Sequence, residues 1–552
     1  MKLDFLFCLF IIVILLLSPI WMRLNLEAFR FVVPDSFYML SNLFWPFIIL
    51  LLISLLFLAY RERNLSFVPI VAAFLLVAFP LFQHPTIFGW DQYLHTSIAI
   101  DVTREGIATS AYTTYGLEYP GSFALINSIK SITGIEYLYS VIILSVVAKI
   151  LTLALIYILG KDLLKCKLAY IALSLFILGN FRFIDYFQFS PQALAFPLFL
   201  LLLCLHLRRG SRNELVAMLL PAFSIIITHI FTSVLMVVTL LGMYVVQRFS
   251  RHVKSGQLLS LFILSLIVWL SWQVYVAVSI SKEGVMHFAN ISKEGLLTTN
   301  LVSAVLTFGR GVHNEILLKY KQLFLSFIAI GTVIGSVFGF KEKKAQPFIG
   351  VLLGAILFSF ALTILSEPPS RIWLDRAILV GFVAPIILTT YGLTVFFRGR
   401  KHLLKFLSFT CIMLIPLSFF ASYQYTYMSA VKEWEMTPSK ILFSHIGGNL
   451  DVSSDSITLI LLRYLSSSGG RNYTFTGYTL NRFITDPTRL YEEKDFLNSS
   501  FILRSYRQKV DWFYVQGIEP SSWDKLDNML LSNLYRNRMY DSDYIQIYSL
   551  SR

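Results

Sequence analysis

Apolar runs, broken by short polar stretches, dominate the first three quarters of the chain. A helix needs about 20 mostly apolar residues to cross the hydrocarbon of a bilayer. Candidate runs lie near residues 3–21, 37–60, 66–83, 137–159, 168–181, 192–207, 214–229, 230–247, 257–280, 322–340, 347–365, 376–397 and 403–422. The pattern predicts about thirteen transmembrane helices, several of them short enough to tilt or merge with a neighbour. The first run, from Leu3 to Leu17, is not followed by a small-residue cleavage site and reads as an uncleaved signal anchor.

From about residue 430 the periodicity changes. Helix-like stretches (Ser456–Tyr464, Phe501–Lys509, Ser521–Leu534) alternate with short β-rich runs at Ile441–Phe443, Trp512–Val515 and Tyr544–Tyr548. This alternation predicts a small α/β domain over 430–552, following a multi-spanning module over 1–429. The fold class expected is a polytopic α-helical membrane protein with a small C-terminal extracytoplasmic α/β domain. The tail has no Cys, no His beyond His445, and no nucleophile or phosphate-loop motif, so an accessory role is expected for it.

Composition strengthens the membrane reading. Hydrophobic residues make up 56% of the chain and charged residues only 14%, a balance that only a bilayer can bury. The net charge of +14 at first suggests nucleic acid, but its location argues otherwise. Residues 423–552 carry 14 Lys+Arg and 14 Asp+Glu, so the whole excess lies in the first 422 residues. There it is confined to short loops: Arg61/Arg63, Lys161/Lys165/Lys167, Arg208/Arg209/Arg212, Arg248/Arg251/Lys254, Lys341/Lys343/Lys344 and Arg398/Arg400/Lys401/Lys405. The intervening loops (22–36, 84–136, 182–191, 281–321 and 366–375) are mixed in charge and mostly longer. Positive charge stays cytoplasmic, so the amino terminus is expected inside and the tail outside. No basic stripe or nucleic-acid motif accompanies the charge, and nucleic acid is excluded as a partner. Cys8, Cys166, Cys204 and Cys411 offer neither a disulfide framework nor metal-ligand spacing.

The outer loop 84–136 holds the densest chemistry, in Gly89-Trp90-Asp91-Gln92-Tyr93-Leu94-His95 and Tyr115-Gly116-Leu117-Glu118-Tyr119-Pro120-Gly121-Ser122-Phe123. A carboxylate among aromatics at a membrane face can gain basicity from partial burial and take a proton from an acceptor hydroxyl. Asp91 fits that role, and an ordinary solvated loop acid is the alternative. Arg371, in Glu367-Pro368-Pro369-Ser370-Arg371-Ile372-Trp373-Leu374-Asp375-Arg376, can grip a phosphate bidentately or simply anchor a span beside Asp375. His229, where an apolar run turns back, is either a packing residue or a phosphate donor. Asp185 lies among aromatics in Phe183-Ile184-Asp185-Tyr186-Phe187. Lys149, inside an apolar run, is expected to snorkel inward and is assigned no role. Loop 281–321, with His287, Arg310, His313, Glu315, Lys319 and Lys321, is long enough for a lid and reads equally as a solvated connection.

The ordered set is similar to the GT-C glycosyltransferases, and specifically to the protein O-mannosyltransferase and lipid A aminoarabinose transferase branch. It comprises Trp90-Asp91 in the first large outer loop, Tyr119-Pro120, Phe189-Ser190-Pro191-Gln192, Thr228-His229, and Arg371 to Arg376. Asp511-Trp512-Phe513-Tyr514-Val515 and the stretch from Tyr540 to Tyr548 resemble the end of that group's outer domains. The resemblance implies a sugar donor carried on a polyprenyl phosphate. An acceptor hydroxyl of a protein, lipid or glycan attacks the anomeric carbon with inversion, and lipid phosphate leaves. By position Asp91 carries over as the base; Asp185 is the nearest match to the group's second acid, which orients the acceptor or holds a divalent cation, and reads equally as an ordinary loop acid flanked by aromatics. Glu118 and Glu367 are weaker candidates of the same type. Arg371, His229 and Arg376 are the phosphate candidates, and Trp90, Tyr93, His95, Glu118 and Tyr119 the substrate contacts. No metal-binding residues are assigned. Two departures stand out: three spans precede the first large loop instead of one, and Gln92 stands where the group has a second acid.

A polysaccharide polymerase or ligase shares this placement of acids, whereas a transporter or lipid-linked sugar flippase calls for mid-span ionisable groups and repeated halves; here mid-span charge is nearly confined to Lys149 and the sequence shows no internal repeat. Asn290-Ile291-Ser292, Asn472-Tyr473-Thr474 and Asn498-Ser499-Ser500 are sequons on the expected outer side, and Asn64-Leu65-Ser66 is one on the inner side. The orientation is directly testable with cysteines introduced at Ser468 and Arg400. An impermeant thiol reagent added outside is expected to label position 468 and spare 400; the reverse pattern inverts the topology.

Overall fold

The computed structural model describes residues 90–105, 111–164, 169–179, 189–208, 214–250, 256–282, 315–365 and 381–398, the single positions 410 and 465, and four short strands in the tail. Twelve helices are defined there. They are α1 Trp90–Glu105, α2 Ala111–Glu118, α3 Gly121–Thr133, α4 Tyr137–Leu164, α5 Ala169–Gly179 and α6 Pro191–Leu207. They continue as α7 Glu214–Thr228, α8 Ile230–Phe249, α9 Gly256–Tyr275, α10 Glu315–Gly339, α11 Gln346–Leu365 and α12 Val383–Phe396. Nine apolar runs of the sequence thus appear as helices α4 to α12. The runs at 3–21, 37–60, 66–83 and 403–422 lie outside the described residues. Among the described residues, α4, α8 and α9 are long and apolar enough to cross a membrane by length and composition.

Two expectations about loops change. The stretch 84–136 is largely helical from residue 90, forming α1, α2 and α3 rather than a simple loop. The run 257–280 breaks after Tyr275, where the amides of Val276 and Ala277 both donate to the Trp272 carbonyl; residues 278–282 then form a separate helical turn.

Local signals place several helix ends. Ser190 caps α6, accepting from the Ala193 amide at 3.1 Å, and Pro191 follows at the position where its missing N–H costs nothing. Gly134, at φ 72°, ends α3 with its amide on the Lys130 carbonyl. Pro197 inside α6 and Pro221 inside α7 are of the kind tolerated where neighbouring helices satisfy the freed backbone.

The α8 helix is central. It packs on α6, α7, α9 and α11 and is mostly buried, whereas most of α9 is not. Apolar side chains left exposed on α7 (Val216, Leu220, Phe223) and α9 (Ile263, Ile267, Leu270, Val274) form outward faces suited to lipid. Two seams bring backbones into direct contact. On α8–α11, a Cβ at Gly350 would fall on the Met243 backbone; on α10–α12, one at Gly335 would fall on the Leu388 carbonyl. Both glycines belong to pairs four residues apart (Gly350/Gly354 and Gly331/Gly335), the spacing that lets apolar helices approach closely. The α10–α12 seam adds hydrogen bonds: the Thr389 hydroxyl donates to the Ile328 carbonyl at 3.0 Å and lies 3.3 Å from the Thr332 hydroxyl.

Basic turns gather at one end of this bundle. Arg208, after α6, donates to the Asp162 carboxylate of α4 at 2.6 Å, and Lys344, between α10 and α11, donates to the Asp162 carbonyl at 2.9 Å. Arg208 is mostly exposed, so the pair marks this end more than it stabilises it. Lys149, expected to turn inward, is buried at 2% exposure in the middle of α4.

In the tail, β1 Val452–Ser453, β2 Phe501–Ser505, β3 Asn537–Asp541 and β4 Ile545–Ser549 form one sheet in the order β1-β2-β4-β3. β1 and β2 are parallel and the other pairs antiparallel, with Leu503 opposite Ile547 and a bulge between Arg538 and Tyr540. The stretch Phe501–Lys509 was expected to be helical, yet residues 501–505 are a strand. Its apolar start pairs with the Tyr544–Tyr548 run, and such cross-strand pairing overrides a local helical pattern. Ile441–Phe443, Trp512–Val515, Ser456–Tyr464 and Ser521–Leu534 lie outside the described residues.

The glycine seams are testable. Gly335→Ala and Gly350→Ala are each expected to destabilise by about 1–3 kcal/mol through overpacking, seen as earlier thermal unfolding in detergent. Gly256→Ala, where a Cβ meets nothing within 4 Å, serves as the control. Equal midpoints for all three variants would refute the close approach.

Candidate functional site

The end of the bundle away from the basic turns collects the chemistry. α6 begins there at Ser190, α7 ends there at Thr228, α8 starts there at His229, and α9 ends there before residues 278–282. Helices α1, α2 and α3 cover this end, with α1 and α3 packing on α4 and α3 also touching α6 and α7.

On α1, Asp91 occupies the first turn. His95 follows four residues later on the same helix face, about 6 Å along the axis. The His95 ring is buried between Phe123 of α3 (centroids 6.0 Å apart) and Phe189 at the start of α6 (6.1 Å, edge-on). Ile98 and Ala99, further along α1, join the same small core as Phe123, Ile126 and Phe189. Gln92 and Tyr93 are buried as well. The helix therefore seats its His95 side among aromatic rings, with the Asp91 position at its head.

His229 serves the backbone. Its Nδ1 accepts from the Thr232 amide at 3.2 Å and lies 2.9 Å from the Thr232 hydroxyl, capping α8. An amide N–H can only donate, so Nδ1 carries no hydrogen and the neutral ring holds its proton on Nε2. The packing role and the donor role are thus compatible: one nitrogen holds the helix and the other is an N–H donor. Gly121, which opens α3, lies against Thr228 so closely that a Cβ there would meet its hydroxyl at 2.5 Å.

Glu118 and Tyr119 face α9. The Glu118 carbonyl accepts from Trp272 Nε1 at 3.0 Å, and its carboxylate accepts from the amides of Ser279 (2.8 Å) and Ile280 (3.1 Å). The fully buried Tyr119 hydroxyl pairs with the Gln273 side-chain amide at 3.0–3.1 Å, and Ser281 donates to Gln273 Oε1 at 2.8 Å. Burial pushes the Tyr119 phenol well above its usual range; the Gln273 hydrogen bond opposes that shift and the Glu118 charge adds to it. Tyr119 therefore stays protonated.

Of the residues singled out from sequence, this end of the bundle brings together His95, Glu118, Tyr119 and His229, with the Asp91, Trp90 and Tyr93 positions on α1. Asp185, Arg371, Arg376, Glu367 and residues 283–314 lie outside the described residues, while Glu315, Lys319 and Lys321, expected in loop 281–321, belong to the first turns of α10. Sequence reasoning missed Trp272, Gln273, Ser281 and Thr232, whereas Phe123 closes the Tyr115–Phe123 stretch it singled out. Gln273 was detectable as an uncharged polar residue near the end of an otherwise apolar run. Gln192 and Ser122 are buried with side-chain atoms that find no hydrogen-bond partner among the described residues, a further sign that polar groups gather here. Among the described residues no three His, Cys, Asp or Glu side chains converge as a metal cage.

No family model matches the chain, and no curated protein sequence matches it. Solved structures are similar to it. The crystal structure of ArnT from Cupriavidus metallidurans bound to undecaprenyl phosphate matches with a TM-score of 0.50 at 12% identity, over 87% of this chain and 97% of that one. The apo state of the same protein matches at 0.49 with the same identity and coverage. At this identity the likeness establishes a shared fold, running almost the full length of the ArnT chain.

The cap and donor roles of His229 are separable. His229→Asn keeps a good capping oxygen and is expected to hold thermal stability, whereas His229→Ala should lose about 1 kcal/mol. Equal losses in both variants would refute the capping geometry.

Proposed function

We propose that this chain is a membrane glycosyltransferase of the GT-C type, moving a sugar from a polyprenyl-phosphate donor to an acceptor hydroxyl at the extracytoplasmic membrane face. The observation that carries this reading is the fold shared with a protein whose crystal structure holds undecaprenyl phosphate, over nearly all of that protein. The order of the Trp-Asp, Tyr-Pro, Thr-His and Arg motifs supports it independently. So does the gathering of polar and aromatic groups at the bundle end opposite the basic turns, which the positive-inside rule assigns to the outer side.

In this reading the lipid tail lies along the apolar helices and its phosphate meets the polar end. Asp91, at the head of α1, takes the proton of the acceptor hydroxyl. The acceptor oxygen attacks the anomeric carbon, the bond from that carbon to the phosphate oxygen breaks, and lipid phosphate departs with the bonding pair. His229, donating from Nε2, and Arg371 and Arg376 stabilise the charge that develops on phosphate. The aromatic wall of Phe123 and Phe189 around His95 keeps water from intercepting the sugar. The acceptor is a protein, lipid or glycan, Asp185 orients it or holds a divalent cation, and the tail from residue 430 acts as an accessory domain.

Transfer by the purified chain in nanodiscs, read as release of polyprenyl phosphate from a panel of polyprenyl-phosphate sugars, tests the reading. Asp91→Asn keeps the shape and loses the proton acceptor, so turnover is expected to fall roughly 100- to 10,000-fold with donor binding preserved. Near-normal turnover in Asp91→Asn would remove Asp91 from the mechanism, and no release from any donor by the wild type would sink the activity.

A further inference from the structure

Glu118 was a candidate substrate contact, yet its polar atoms are already engaged. It is only 7% exposed, and both carboxylate oxygens accept from successive backbone amides, Ser279 and Ile280, while its carbonyl holds the Trp272 indole. Two adjacent amides opening a helical turn are donors with no partner inside the turn, and a carboxylate is a strong acceptor for them. The next residues fix the other side of the same corner. Tyr119 is bonded to Gln273, and Gly121 is packed against Thr228, next to His229. Glu118, Tyr119 and Gly121, within four consecutive residues, thus tie the end of α9 to the α7–α8 junction.

We propose that Glu118 is a positioning residue: its carboxylate clamps residues 278–282 onto the α2–α3 corner and so fixes the geometry beside His229. Its contribution to transfer rests on the activity proposed above; the clamp itself does not. Replacing the carboxylate with an amide leaves one acceptor oxygen for two donors and turns an N–H₂ toward a backbone N–H. The corner then loosens without any change in side-chain volume.

The test compares wild type with Glu118→Gln in nanodiscs by amide hydrogen exchange, transfer rate and affinity for an undecaprenyl-phosphate sugar. The expected result is exchange at Ser279 and Ile280 at least tenfold faster, with α4 and α8 unchanged. Turnover should fall roughly 10- to 100-fold, as for misplaced reacting groups, with donor affinity within twofold. Unchanged protection at both amides would overturn the clamp. Donor affinity falling as far as turnover would overturn the positioning role and return Glu118 to the substrate contacts. Should Glu118→Gln fail to fold, Glu118→Asp keeps the charge but shortens the reach by one methylene, and the same two outcomes decide. A wild type that transfers nothing counts against the proposed activity, while the exchange comparison still decides the clamp.

Discussion

Helices with apolar outer faces gain little from hydrophobic burial when their surroundings are equally apolar, so close backbone contact has to hold them together. The α8–α11 and α10–α12 seams meet that requirement with glycines where the chains cross and with Thr389 reaching the Ile328 carbonyl. The same surroundings forbid unmatched polar groups. A buried polar side chain is therefore costly unless the fold supplies a partner, and at the end of the bundle away from the basic turns the partners of Glu118 and Tyr119 come from distant parts of the chain. Glu118 and Tyr119 find theirs more than 150 residues later, on α9 and the turn beyond it.

That requirement explains how a site can sit on an otherwise oily scaffold. Helix ends carry free backbone donors and acceptors, and four of them meet at this end. Ser190 caps one, His229 caps another, and Glu118 caps the turn after α9. Capping His229 through Nδ1 leaves its proton on Nε2, so a structural bond sets the chemical character of the ring. The basic turns, drawn together around Asp162, mark the opposite end. Chemistry and orientation signals are thereby separated along one axis.

The spacing of apolar runs made α4 to α12 legible in the sequence, because a helix in a bilayer announces itself by length alone. The end of α9 was less legible. Residues 276–280 are as apolar as those before them, and only the tertiary pull of Glu118 on Ser279 and Ile280 marks where the helix stops. Strand β2 was misread for a related reason: Phe501–Ser505 owes its conformation to β4, over forty residues away. Of the site, His229 and the Glu118-Tyr119 pair stood out as polar groups in apolar or aromatic settings. Of their partners, Gln273 carried only the weak signal of an uncharged polar residue near the end of an apolar run, and Thr232 is unremarkable until the fold brings it within hydrogen-bond distance of His229.

The central claim is that an apolar bundle with a polar outer end receives a polyprenyl phosphate by both tail and head. Native mass spectrometry of the full chain, given undecaprenyl phosphate and undecaprenol in equal amounts, measures this directly. The account predicts a one-to-one complex with the phosphate that outcompetes the alcohol at least tenfold. Equal retention of both lipids, or of neither, would contradict it.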